Sequence, residues 1–247
     1  MTKNLPINLV LGTVLVSIVL GTAVLSFIWT PHEHALMNIS DKFHEPSWIY
    51  LLGTDQLGRD VLSQLMAASR NSMIVALVAV LLGGSIGTLL GLLASAVGGW
   101  LEDLVMRIAD IGFAFPALLF AIMLAAVFGP SLANAVFAIA FINIPIFARI
   151  SRASGNQIWT RDFVLASRAA GIGRFKVSFS HLLPNILGPI AVYATLTIPQ
   201  VMLLEGFLSF LGLGIQPPMS SWGTLIKDGV ESMEEYTWLL IYPGITF

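Results

Sequence analysis

Only 11 % of the 247 residues are charged and 56 % are hydrophobic, far from the roughly 25 % charge of a soluble domain, so the composition is that of a bilayer protein. A net charge of −2 gives no support to a nucleic-acid partner. With no cysteine, disulfides, thiolate metal sites and cysteine nucleophiles are excluded.

In chain order, Lys3 is followed by an apolar stretch from Ile7 to Trp29. It is longer than the roughly 7–15 residues of a signal-peptide core and has no A-x-A-like cleavage site, so it reads as a retained first span. Taking about 20 apolar residues to cross a ~30 Å hydrocarbon core, further spans are predicted near 72–97, 104–128, 131–149 and 181–207. A sixth begins near Trp238 and stops at Phe247, too short to cross, which reads as a sequence lacking its natural C-terminal end. The spans must be helices, because backbone groups in lipid have to be satisfied internally and no alternating barrel strands are present. The sequence divides into residues 1–71, a first span with an outer loop, and 72–247, a helical membrane domain with an informative loop at 150–180.

Two outer stretches read as amphipathic helices lying flat on the outer surface. In the first, Leu57, Val61, Leu62, Leu65 and Met66 oppose Arg59, Asp60, Ser63 and Gln64; in the second, Trp222, Leu225, Ile226 and Met233 repeat the pattern. Within the second span Gly83, Gly87, Gly91 and Ser95 recur every four residues, a stripe that lets another backbone approach closely; Thr13, Ser17, Gly21 and Thr22 form a looser one in the first. Arg107 and Asp110, three apart, are placed to pair with each other.

Orientation follows from the basic residues. Arg149, Arg152, Arg161, Arg168, Arg174 and Lys176 are six of the twelve Lys and Arg, accompanied between 149 and 176 by the single acid Asp162, which puts this loop in the cytoplasm. The N-terminus then lies inside, and 30–70 and 215–237 lie outside. Within the loop, RDFVLASRAAG at 161–171 predicts a short helix ending at Gly171, then a turn and a second helix broken by Pro184, a knob able to transmit force.

Here the sequence resembles a family. The loop is similar to the coupling motif of ABC importer permeases, Glu-Ala-Ala, three residues, Gly, nine residues, Ile-x-Leu-Pro. Ala166, Gly171, Leu183 and Pro184 match in register, whereas Leu165 stands for the Glu, Ser167 for the second Ala and His181 for the Ile. HLLPN at 181–185, GTDQLGRD at 53–60 and SFLGLGIQPPMSSWG at 209–223 resemble the C-type permease of the dipeptide, oligopeptide and nickel branch. The resemblance implies an all-α integral membrane protein, a six-helix bundle of the ABC importer type with a cytoplasmic coupling helix, in the bacterial inner membrane. It implies as partners a homologous second permease subunit, two cytoplasmic ATPases and an outer solute-binding protein, with peptide the expected solute. The coupling residues it implies are Arg161, Asp162, Phe163, Ala166, Ser167, Arg168, Gly171, His181, Leu183 and Pro184. No G-x-x-x-x-G-K-[ST] loop occurs, so ATP and Mg are expected on the partners and no cofactor on this chain.

Glu205, the one acid deep in a predicted span, is a candidate for the translocation pathway or its gate, with a structural hydrogen bond as the alternative. Pro116 and Pro199 join it as candidates, because Pro116, Pro145, Pro184, Pro189 and Pro199 each remove a backbone donor inside a span. Two patterns are set aside. The G-x-S-x-G at 83–87 lies inside a helix rather than after a strand. His32, His34 and His44, near Glu33, Asp41 and Glu45, read as an exposed polar loop, and no metal or catalytic residue is assigned. An ion-coupled secondary transporter, which needs inverted repeats and several buried ionisable groups, is the alternative function.

Overall fold

A computed structural model describes residues 7–247; Lys3 lies outside them. The described chain is all-helical apart from one isolated bridge between Thr54 and Asp60. In order the helices are α1 (Ile7–Leu25), α2 (Val61–Val97), α3 (Gly99–Ala114), α4 (Ala117–Phe128), α5 (Leu132–Trp159), α6 (Asp162–Ala169), α7 (Arg174–Val177), α8 (Leu183–Phe210), α9 (Trp222–Glu231) and α10 (Trp238–Thr246). Four helices are long and apolar enough to cross a membrane, α1, α2, α5 and the continuous Arg174–Phe210, and the bent pair α3–α4 makes a fifth candidate. Two compact units emerge from the packing, one of residues 1–74 with 205–247 and one of 75–204.

In the second unit the small-residue stripe of α2 packs on α5. A Cβ on Gly83 would come within 2.5 Å of the Ala140 carbonyl oxygen, and one on Gly87 or Gly91 would strike those of Ile144 and Ala148. Each of the three contacts advances by four residues on both helices, so α2 and α5 run parallel with backbones in contact. Further along, Gly155 faces Ser95, and Ser151 Oγ donates to the Thr88 carbonyl at 2.8 Å. Where lipid removes the usual hydrophobic drive between helices, such close packing is what holds them. The stripe on α1 has no such role within the described chain; nothing lies within 4 Å of a Cβ at Gly21, and the helix is almost wholly exposed.

Helix α3 is antiparallel to α5 and tied to it by Asp110–Arg149 (2.6 Å) and Glu102–Arg152 (2.9 Å). The expected Arg107–Asp110 pair does not form. Arg149, stacked 4.3 Å over the Phe113 ring, reaches Asp110 from the neighbouring helix with a single Nη2 bond. At Pro116 the chain turns by 81° into α4, because the ring forces Phe115 into extended backbone (φ −83°, ψ 119°). Pro184 behaves otherwise. The expected break is replaced by a π-helical segment, Ser178–Leu182, in which the Leu183 N–H donates to the Ser178 carbonyl. Widening the helix by one residue absorbs the missing donor, and the helix continues.

In the first unit, the expected surface helix over 57–66 is absent as a separate element. Asp60 is the N-cap of α2, its carboxylate accepting from the Ser63 N–H at 2.9 Å, and the helix then runs unbroken to Val97. Both faces of its first turns are covered: Val61, Leu65 and Met66 are buried, and so are Asp60, Ser63 and Gln64. Helix α9 is likewise packed rather than lying free. Its start is a capping box of Ser221 and Thr224, and Gly223 and Gly229 bring its backbone against Gly206 of α8 and Leu239 of α10.

Candidate functional site

Residues 161–184 form the knob that the sequence predicts. Helix α6 ends in a Schellman closure: Ile172 N–H donates to the Ser167 carbonyl at 3.1 Å and Gly171 N–H to that of Arg168 at 2.9 Å, with Gly171 at φ 79°. A side chain at 171 would meet no neighbour, so glycine is needed there for its left-handed backbone alone. Val164, Val177 and Leu182, one from each piece of the knob, are completely buried.

Ser167 Oγ donates to the Phe163 carbonyl at 2.8 Å and lies 3.2 Å from His181 Nε2, while the Phe163 and His181 rings meet edge-on. The Arg168 guanidinium sits over the Trp159 ring, and Arg174 donates to the Val97 carbonyl at 2.9 Å. That last bond places a cation on the open carbonyls at the C-terminus of α2, where helix dipole and geometry both favour it. Arg161, Asp162, Ala166 and Pro184 are exposed and Leu183 is half-buried. Phe163, Leu165 and Phe175 are exposed by 45, 47 and 58 %, an apolar surface on a loop otherwise rich in charge.

The other two signature stretches, 53–60 and 209–223, come together as one buried polar knot in the first unit. Asp55 accepts from the backbone N–H groups of Leu57 and Arg59 (2.8 and 2.9 Å), from Arg59 Nε (2.7 Å) and from Gln64 Nε2 (2.9 Å). Arg59 also faces Asp228 at 3.7 Å. Burial raises the Asp228 carboxyl above its ordinary 3.8, with Arg59 pulling the other way. Gln64 Oε1 accepts from Ser220 Oγ (3.4 Å) and Asn71 Nδ2 donates to the Ser220 carbonyl (2.8 Å), which fixes the 209–223 loop on the first turns of α2.

Glu205 sits at the centre of this knot and is fully enclosed. It accepts from Ser72 Oγ at 2.7 Å and Ser209 Oγ at 2.6 Å, and Ser209 Oγ in turn accepts from Ile215 N–H at 3.1 Å. Gln64, Asn71, Ser72 and Ser220 carry this arrangement; the sequence places Gln64 on the polar face of a surface helix and Ser220 in a signature stretch, but does not single out Asn71 or Ser72. Their signal is the polarity of 63–72 at the head of an apolar helix. Pro116 and Pro199 are both exposed, one at the α3–α4 bend and the other inside α8.

The histidines do not converge. His32 Nδ1 lies 3.5 Å from Asp60, His44 Nδ1 contacts the Glu45 carbonyl, and among the described residues no three His, Asp or Glu side chains gather as metal ligands. Ser85, of the G-x-S-x-G pattern, is an exposed residue in the middle of α2.

Residues 83–246 match the family described as binding-protein-dependent transport system inner membrane component. The chain is 36 % identical to the dipeptide transport system permease protein DppC of Alkalihalophilus pseudofirmus, over 96 % of this chain and 78 % of that one. It is 41 % identical to the di/tripeptide transport system permease protein DppC of Pseudomonas aeruginosa, over 81 % and 68 %. Its fold is similar to that of a chain of the MetNI methionine ABC transporter in an inward-facing conformation, with a TM-score of 0.59 at 19 % identity, covering 74 % of this chain and 88 % of that one. The chain therefore belongs to the binding-protein-dependent transport system inner membrane components, and is a multi-pass inner-membrane permease subunit of an ATP-driven ABC importer.

Proposed function

We propose that this subunit forms half of the inward path for a short peptide, beside a second, homologous permease, and takes its energy through the 161–184 knob from two cytoplasmic ATPases. The observation that carries the coupling role is the exposed apolar surface of Phe163, Leu165 and Phe175, which a docked partner would cover. The relatives named for dipeptide and di/tripeptide transport support peptide as the solute. An outer solute-binding protein delivers the peptide, and ATP and Mg bind the ATPases, so this chain itself is neither catalytic nor a cofactor carrier. Lipid surrounds the spans, nucleic acid has no part, and the N-terminus is cytoplasmic, since the basic loop at 149–176 then also faces the ATPases.

In the working cycle, closure of the ATPases on ATP presses on α6. Gly171 and the buried Val164, Val177 and Leu182 make the knob stiff enough to pass that push to α8, which rocks as a rigid body. Arg161, Asp162 and Arg168 ring the contact with charge, Ala166 keeps the packing face flat, and His181, Leu183 and Pro184 form the base that receives the push. Pro116 and Pro199 give the path-lining helices their bend points, and Glu205 holds the outer end closed.

The test is purification of the tagged protein from its own membranes, followed by reconstitution into vesicles with whatever chains accompany it. Recovery of a second permease and P-loop ATPases, with ATP-dependent dipeptide uptake abolished by Phe163→Asp, is expected. Undiminished uptake by Phe163→Asp would sink the coupling role, and uptake without any ATPase would sink the whole reading.

A further inference from the structure

The two ion pairs between α3 and α5 differ in their surroundings. Glu102–Arg152 is the sheltered one, its side chains 22 and 34 % exposed, and Glu102 Oε1 also accepts from Asn156 Nδ2 at 3.2 Å. It is a staple, with Glu102 Oε1 shared between Arg152 Nη1 and Asn156 Nδ2. Asp110–Arg149 is 65 and 49 % exposed. Arg149 lies about 15 Å along α5 from its end at Trp159, at 1.5 Å per residue, at the cytoplasmic edge of the span. Charged groups there face protein or water rather than lipid.

Arg149 lines a wide cleft of about 450 Å³ together with Phe113, Ile146, Ile150, Ala153 and Tyr193. Its wall is apolar and aromatic with one cation, Arg149, to which Asp110 is paired at 2.6 Å. The Phe113 ring, itself part of the lining, lies under the guanidinium and holds it against the cleft wall.

From this geometry we propose that Asp110 and Arg149 are a relay site for the charged ends of the travelling peptide, a proposal that rests on the peptide reading above. The carboxylate of a zwitterion lies against the Arg149 fork and its ammonium against Asp110, while its side chains occupy the apolar cleft. Because the two protein charges neutralise each other, the site returns to its own ion pair once the peptide moves on. Binding is weak and brief, as conduction requires. The staple, three residues on along α5 and eight back along α3, keeps the two helices together while the exposed pair opens.

The purified importer, without its binding protein, is mixed with dialanine, dialanine amide and N-acetyl-dialanine, and binding is read by saturation-transfer NMR. Dialanine is expected to bind at least about tenfold more tightly than either blocked form, the equivalent of one lost charge-assisted contact. Arg149→Gln removes the preference for a free carboxylate and leaves that for a free amine; Asp110→Asn does the converse; Glu102→Gln changes neither. Arg149→Lys, which keeps the charge without the fork, gives an intermediate preference and serves if the glutamine variant does not assemble.

Equal weakening of free and blocked peptides by Arg149→Gln or Arg149→Lys, or no dialanine signal from an importer that takes up dialanine in vesicles, overturns the site while leaving the peptide reading intact. Failure of the unaltered, ATP-driven importer to take up any dipeptide overturns the peptide reading itself.

Discussion

Ser167 Oγ and His181 Nε2 are 3.2 Å apart, and this contact ties α6 to the π-helical base of α8. Both residues depart from the coupling motif, which has alanine and isoleucine there, so a polar contact in this chain occupies the place of an apolar one. With its own proton on the Phe163 carbonyl, the serine accepts from the histidine ring.

Ser167→Ala is expected to lower stability by about 1 kcal/mol and to leave the ring nitrogen unmatched. In the assembled importer, peptide uptake per ATP hydrolysed falls, because a looser knob passes on less of the push. The double variant Ser167→Ala with His181→Ile restores both, since it returns the apolar contact. Unchanged uptake per ATP in the single variant would show that the contact has no part in coupling.

The parallel packing of α2 on α5 leaves no room at Gly87. A leucine there meets the Ile144 carbonyl and the Phe147 Cβ, 2.8 Å from where its own Cβ would stand. Backbone cannot give way as a side chain can, so Gly87→Leu is expected to cost at least roughly 1–3 kcal/mol. Gly188→Ala in α8, which meets nothing within 4 Å, should stay within about 0.5 kcal/mol of the parent. Thermal melting of the two purified variants in detergent separates these outcomes, and a matching melt for both contradicts the close approach.

Removing the Glu205 carboxylate strands the hydroxyls of Ser72 and Ser209. Glu205→Ala is expected to destabilise by roughly 1–3 kcal/mol for each buried hydroxyl left without a partner, and Glu205→Gln by less. If instead Glu205→Gln melts like the parent but alters which peptides are carried, the residue belongs to the path and not to the knot.

For Asp228 the sign is set by burial, which raises its pKa above 3.8 although Arg59 opposes it. Between 3.8 and that raised value the folded chain keeps a proton that the unfolded chain has released. Its contribution to stability is therefore favourable in acid and is lost as pH rises through the window. Asp228→Asn should be at least as stable as the parent at neutral pH, with the difference vanishing near pH 3.8 and below. A variant less stable than the parent at neutral pH would mean that the 3.7 Å contact with Arg59 outweighs burial.

The spans and the small-residue stripe were legible because each is periodic within one segment: apolar runs long enough to cross, and Gly83, Gly87 and Gly91 on a single helical face. Gly171 was legible for a local reason too, since a helix that turns back there needs a left-handed residue. The resemblance of the coupling loop carried the function, and the family match over 83–246 and the peptide-permease relatives agree with it, leaving the ion-coupled alternative without support.

Tertiary structure alone decided what depends on partners distant in the chain. Residues 57–66 alternate like a surface helix, yet their polar side is buried, because Asp55 and the far-off Ser220 supply its hydrogen bonds. Asp110 lies three residues from Arg107, yet pairs with Arg149, which another helix delivers. Pro184 reads as a break, and a π-turn carries the helix past it. Local periodicity determines which segments are helices and which face is small or apolar; which buried polar group meets which is set only when packing brings their partners within reach, since a polar group in an apolar interior must be matched wherever its match lies in the sequence.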